Sequence, residues 1–442
     1  MAGTGGPASG FLGTVRRSAP LIAVLGVSKL LALLSSVVIA RFFDRETSGV
    51  IFFVLGIGPL SVAITTFGLA AASSYYYSRN LRRERYGRNW QIFNLSLLVA
   101  IPPSVLLGFF ALTMEETRGA IGPLIFFVIA TSCFAAAVRQ MVKMIFTIEH
   151  HRDWSIVHDS ITYNAVIVLA VVVWSLVRGS RELSLMTGLI AILMASIIAC
   201  GLAIWHARRK LSDGRGPFAI GAFPRRRYIA VLMAIAIPSM IAQGGGHLLN
   251  KVDVVMIGPM AGPVEVGAYS VAMRTSYIAG LLAEVVLIFL APKLIAIGAS
   301  GDRVAQWRIL KFAMTLQAAA LAVVTIPLVI FAEPVIALIF GRQYTDVATT
   351  YLILQAGRTL TGLFSPIIAL FTALGHSREL ARAAVVAAGA NVAFNLFLIP
   401  LWGAQGAALG TSIALTILFL NYIRLAWRIR GQALAAQGER PG

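Results

Sequence analysis

Charge is scarce in this chain. Only 12% of its 442 residues are Asp, Glu, Lys or Arg, while 58% are apolar; ordinary soluble domains carry about 25% and roughly 45–50%. A soluble fold cannot hide that much apolar surface. Cysteine is nearly missing: Cys133 and Cys200 are the only two. Both fall inside apolar runs, where they read as small packing residues and not as a disulfide or metal ligands. No GxxxxGK[ST] loop for a nucleotide occurs, and no nucleophile has a plausible base. His150-His151, with Glu149 and Asp153, has the composition of a metal cluster. Adjacent histidines point to different faces of a helix, however, so the stretch reads as a solvated loop. These absences leave no room for an enzyme.

Long apolar blocks take up most of the chain. A helix needs about 20 apolar residues to cross a hydrocarbon core of ~30 Å. Twelve blocks of that size are read at 19–40, 49–74, 91–113, 119–142, 155–177, 183–205, 228–249, 265–290, 307–332, 346–374, 379–400 and 404–427. The expected class is therefore an all-α integral membrane protein. The first block is too long for a signal-peptide core and lacks a convincing cleavage site, so it is read as a retained helix. All seven tryptophans lie near block ends or in short connections, where indole prefers the headgroup interface.

The net charge of +19 alone would suit a nucleic-acid partner. Its distribution does not, because the basic residues alternate by loop. One side holds Arg16 and Arg17, Arg79 to Arg88, Arg139, Lys143 and Arg152, Arg208 to Arg227, Lys293 to Lys311, Arg378 and Arg382, and Arg424 to Arg430. The other side offers isolated cations such as Arg45, Arg118 and Lys251, several beside an acid. Under the positive-inside rule both termini are cytoplasmic and the span count is even. Spread over so many segments, the charge makes no nucleic-acid face.

The longest polar break, 206–227, separates six expected spans from six. The division read from it is a first six-helix lobe at 1–207, a basic cytoplasmic linker at 208–227, a second lobe at 228–430 and a tail at 431–442. Two lobes inserted in the same sense are parallel repeats of the kind that enclose a substrate between them. A faint echo supports this: Arg41 to Gly49 before the second span and Ala261 to Tyr269 before the eighth each place a Glu ahead of a Gly that opens a helix.

Four stretches in the second half carry a resemblance. They are Asp253-Val-Val-Met-Ile-Gly258 followed by Glu265 to Arg274; Leu338 to Tyr344; Asn391 and Asn395 ahead of Leu398-Ile-Pro400; and Gly403-Ala-Gln-Gly-Ala-Ala408. Their order and spacing over positions 253–408 resemble the polysaccharide (O-antigen type) flippases of the superfamily that also holds the MATE drug exporters and lipid II flippases. The resemblance implies a MATE-like fold, a bacterial plasma membrane setting and movement of a polyprenyl-diphosphate-linked oligosaccharide from inner to outer leaflet. It also implies polysaccharide polymerase and glycosyltransferases as partners, besides membrane lipids and the glycan itself.

An ionisable group inside a span costs several kcal/mol unless it faces protein or water, so each is a candidate for function. Lys29, Arg274 and Arg358 are expected to make a cationic cavity between the lobes, suited to a diphosphate or an acidic sugar. The structural alternatives are Arg274 paired with Glu284 and Arg358 bonded to helix carbonyls. Coupling to H+ or Na+, with no other cofactor, would need a carboxylate in the protein; Asp159, Asp253 and Glu284 are the choices. Asp253 also reads as a loop or capping residue. Asn391 and Asn395, four apart on one face, read as polar contacts across helices or toward a cavity. Pro102, Pro103, Pro238, Pro327 and Pro366 fall inside spans, where they kink helices. The competing function is a MATE-like, ion-coupled exporter of small molecules.

Overall fold

The computed structural model describes residues 7–70, 72–73, 76, 86–112, 121–148, 152–179, 183–211, 224–299 and 303–438. Most of the 208–227 linker, the Arg79 to Arg85 run and His150-His151 lie outside the described residues. Among the described residues the longer regular elements are all helices. They are α1 (Pro7–Phe42), α2 (Arg45–Thr65), α3 (Tyr86–Ala111) and α4 (Gly122–Ile148). Next come α5 (Arg152–Ile156, Val157–Ile161 and Thr162–Arg178 in succession), α6 (Leu185–Leu211), α7 (Arg226–Ala261) and α8 (Pro263–Ala299). The remainder are α9 (Arg303–Ile330), α10 (Ala332–Phe340), α11 (Ala348–Leu363), α12 (Ser365–Ala373) and α13 (Ser377–Gly438).

Ten helical stretches among the described residues are long and apolar enough to cross a membrane, and one of them, Ser377–Arg428, runs 52 residues. That stretch breaks at Trp402 and Gly403, whose backbone leaves the helical region, and it is long enough for two crossings. With α7 added, twelve crossings result, matching the expected count. Side chains such as Leu176, Val177, Leu338 and Phe397 are 72–77% exposed, which water would not tolerate in such number but lipid does.

The chain divides into two compact units, residues 1–247 and 248–442. The boundary falls inside α7, beyond the 208–227 linker expected from sequence. The reason is packing: Leu232 and Ala236 join Leu69, Ala72, Tyr76, Ile92 and Leu95 in one apolar cluster. Gly68 lies so close to the Ala236 carbonyl that no Cβ fits there.

In the first unit α4 is the central helix, packed on α2, α3 and α6. Small residues make this possible. Ala195, Ala199, Ala203 and Ala207 recur every fourth position on α6, all buried, and small residues in that register let helix backbones approach closely where lipid supplies no hydrophobic drive. Ser132 and Ser196 bond across the α4–α6 contact at 2.9 Å. In the second unit α11 packs on α13, and α8 on α9, α11 and α12. Here the fourfold register on α13 runs Ala383, Ala387, Asn391, Asn395, with both asparagines fully buried.

Candidate functional site

The residues with the most chemistry gather in the second unit. Asp253 lies inside α7, not at its end, and is 1% exposed. The loop or capping role considered for it is therefore excluded. The Tyr269 hydroxyl, from α8, donates to Oδ2 at 2.6 Å, and the side-chain amides of Asn391 and Asn395, from α13, donate to Oδ1 at 2.9 and 2.7 Å. The Thr411 hydroxyl shares a 3.2 Å hydrogen bond with that of Tyr269. An ionised carboxylate only accepts, so three donors converging on both oxygens meet its needs without a countercharge. The group joins three helix segments around one acid. Asn395 reaches it because residue 410 is glycine: a Cβ there would collide with the Asn395 amide oxygen. That oxygen has no hydrogen-bond partner among the described residues.

Two positions before Asp253, Lys251 leaves α7 on the other side, since two residues turn a helix by roughly 200°. Its ammonium lies 5.4 Å from the centre of the Tyr277 ring on α8, and the Arg358 guanidinium from α11 lies 4.5 Å from the same centre. Both distances fall within the ~6 Å at which an aromatic face attracts a cation. Arg274 stands three residues ahead of Tyr277, on the same side of α8. Arg274 and Arg358 both act electrostatically on Lys251, and Asp253 lies within electrostatic reach of Arg358. Three cations therefore share one neighbourhood, and Arg358 links it to the Asp253 carboxylate. Arg358 leaves its Nε without a hydrogen-bond partner among the described residues. Tyr277 itself is 37% exposed, so the group is open on one side.

Of the residues chosen from sequence, Asp253, Asn391 and Asn395 come together in one cluster, and Arg274 and Arg358 in the adjoining one. Glu284 is exposed and ten residues beyond Arg274 on α8, ~15 Å along the axis, which rules out a direct pair between them. In the first unit, Lys29 is an exposed residue of α1. Asp159, on α5, accepts from the Lys143 ammonium of α4 at 2.6 Å, so its charge is already matched. Lys251, Tyr269, Tyr277 and Thr411 were missed. Lys251 falls just beyond the apolar block at 228–249, which puts it among the loop cations in the sequence. The available signal was its spacing of two from Asp253.

A second acid fixes the kink of α13. Glu265, in the first turn of α8, accepts the Ala404 backbone N–H at 2.7 Å. Gly403, at φ 53°, turns the chain into a region that glycine alone enters at little cost. In the first unit Asp44 caps α2 itself, accepting the Thr47 N–H at 3.0 Å at the start of that helix.

Comparison with known proteins gives a consistent setting. A family described as "Polysaccharide biosynthesis protein" matches residues 15–289. The probable low-salt glycan biosynthesis flippase of Haloferax volcanii is 23% identical over 188 residues, 42% of this chain and 40% of its own length. The chain thus spans about two fifths of that curated relative. Among solved structures, a lipid II flippase MurJ in an inward closed conformation superposes with a TM-score of 0.72 at 16% identity, over 92% of this chain and 87% of its own. An inward-facing multidrug resistance MATE family transporter of the MOP superfamily gives 0.67 at 14%, over 92% and 96%. At these identities the likeness establishes the fold: a multi-pass, MATE-like helical membrane protein.

Proposed function

Because the chain belongs to the polysaccharide biosynthesis protein family, we propose that it moves a polyprenyl-diphosphate-linked oligosaccharide from the cytoplasmic to the outer leaflet by alternating access. The observation that carries this reading is the group of Lys251, Arg274 and Arg358 around the partly open Tyr277 ring. A diphosphate presents several acceptor oxygens and at least two negative charges, which guanidinium and ammonium groups satisfy with charge-assisted bonds. A cationic drug would meet repulsion at the same place. Lys29 on α1 is assigned to the same substrate.

The coupling ion is assigned to Asp253. The amide N–H groups of Asn391 and Asn395 and the Tyr269 hydroxyl donate to its two oxygens. A proton suits this carboxylate, and a hard cation would take its oxygens in place of those donors. The protein is placed in a bacterial plasma membrane with both termini in the cytoplasm, as the charge alternation favours. It would receive its cargo from glycosyltransferases and pass it to a polymerase.

The test is deletion of the gene followed by complementation. Lipid-linked oligosaccharide should accumulate on the cytoplasmic leaflet, and wild type should restore export where Lys251→Gln, Arg274→Gln and Arg358→Gln at matched expression do not. Normal glycan export in the deletion, with new sensitivity to cationic compounds, would overturn the reading in favour of a MATE-like exporter.

A further inference from the structure

The first unit contains a polar pair that the transport reading leaves unused. His158 on α5 and His206 on α6 are 7% and 8% exposed, and Nε2 of the first lies 2.9 Å from Nδ1 of the second. Aromatic rings enclose them. Trp154 stacks on His158 with centroids 6.0 Å apart and meets His206 edge-on at 4.4 Å. Phe146 of α4 meets the two imidazoles at 5.9 and 5.2 Å.

The pair owes its geometry to a local change of helix. Residues 157–161 form a π-turn, in which the Thr162 hydroxyl donates to the Val157 carbonyl five positions back. The wider turn shifts the register, so that consecutive residues serve different neighbours. His158 turns to α6, while Asp159 turns to Lys143 on α4. Such single π-turns inside a helix are frequent at functional sites.

An N···N contact of 2.9 Å holds one hydrogen. In the neutral pair one ring donates and the other accepts. One added proton leaves that bond in place, makes it charge-assisted and sets the cation beside two aromatic faces. A second added proton would oppose two N–H groups and break the contact. The capacity of the pair is therefore a single proton. With His158 as the donor the proton adds at Nδ1 of His158, which is buried and has no hydrogen-bond partner among the described residues; with the opposite tautomer it adds at Nε2 of His206.

The other charged groups on the enclosing helices are occupied or peripheral. On α4, Lys143 pairs with Asp159, and Arg139 lies over the Tyr163 ring at 4.8 Å. On α5 itself Asp153 is exposed. On α6, Arg208 is exposed and Arg209 lies over Trp205 at 5.6 Å. On α1 the charged side chains described are Lys29 and Arg41.

We propose that His158 and His206 form a one-proton binding site in the first unit, whose occupancy is linked to the packing of the π-turn against α6. It is separate from the ion site assigned to Asp253 and does not depend on that assignment. An imidazolium quenches an indole beside it, so Trp154 is the reporter. Full-length protein in nanodiscs is titrated from about pH 8 to about pH 4, spanning the histidine range. The signal is the emission of wild type minus that of Trp154→Phe.

The expected result is one quenching step with the slope of a single proton, moved to a different pH in His158→Gln and in His206→Gln, where the remaining imidazole has lost its imidazole partner, and lost when both are replaced. Each glutamine variant is first checked for cooperative thermal unfolding; one that fails is replaced by the asparagine variant at the same position. No step in the wild type, a two-proton slope, or a step that stays at the wild-type pH in both single variants overturns the proposal. No substrate enters the measurement, so its failure is distinct from a failure of the flippase reading.

Discussion

Replacing Asp253 tests whether the buried carboxylate is the node that holds α7, α8 and α13 together in the second unit. Asp253→Leu removes the acceptor for three donors, those of Tyr269, Asn391 and Asn395. Hydrogen bonds between membrane helices average ~0.6 kcal/mol, with a ceiling of ~1.7. Three of them come to about 2–5 kcal/mol. Asp253→Asn keeps one acceptor oxygen and the shape of the side chain, so its cost should stay near 1 kcal/mol, the usual net worth of one hydrogen bond. Thermal unfolding of purified protein in one detergent reads both. The leucine variant should melt well below the asparagine variant, and the asparagine variant close to wild type. Both should lose transport if Asp253 also carries the coupling ion. Equal melting temperatures for leucine and wild type would refute the assignment of Asp253 as a structural node. An asparagine variant with full transport would refute its coupling role while leaving the node intact.

Gly410→Ala places a Cβ against the amide oxygen of Asn395, and overpacking of this kind costs about 1–3 kcal/mol; a melting curve unchanged from wild type would contradict the geometry. Glu265→Ala leaves the Ala404 N–H unmet at the start of the helix beyond the kink, a loss of about 1 kcal/mol by the usual worth of such caps, read by the same melt. Asp44→Ala should lower stability at neutral pH. Partial burial pushes the Asp44 carboxyl up, but hydrogen bonds from Thr47 and neighbouring backbone amides outweigh it and hold the group below its usual value of 3.8. The stabilisation is therefore complete above that value and fades as the pH falls through the lower folded-state one. The difference between wild type and variant should close in strong acid, and a difference that persisted there would mean that Asp44 acts by something other than its charge.

The architecture was legible because the membrane leaves few solutions. Blocks such as 185–205 and 307–332 can only be helices, since every backbone group must be satisfied within its own segment. The unit boundary was not legible. Leu232 and Ala236 look like any other apolar residues, and nothing in their identity says that they pack with Leu69 and Ala72. The site was half legible. Asp253, Asn391, Asn395, Arg274 and Arg358 stood out because charge and amides are costly at depth. Tyr269, Tyr277 and Thr411 did not, because tyrosine and threonine are ordinary inside spans and only contact reveals their part. His158 and His206 went unnoticed for another reason: the π-turn that turns His158 toward α6 has no reliable signature in the residues 157–161.

The roles proposed for the two clusters of the second unit imply a sign for the coupling between them. Lys251 and Asp253 leave the same helix on different sides, and Arg358 lies within electrostatic reach of Asp253. On the roles proposed for them, a cation or proton bound at Asp253 cancels the carboxylate within reach of Arg358. At an effective dielectric constant of ~20, a charge ~10 Å from another is worth on the order of 1–2 kcal/mol, about tenfold in affinity. Ion and anion must then favour each other's binding, and by linkage to the same degree. Titrating soluble diphosphate onto purified protein with and without sodium, and across pH, measures the factor. In Asp253→Asn the charge is already gone, so anion binding should be tight and indifferent to the ion. Weaker anion binding in the presence of the ion would mean that the two compete for one site, and the division of labour between Asp253 and the three cations would fall.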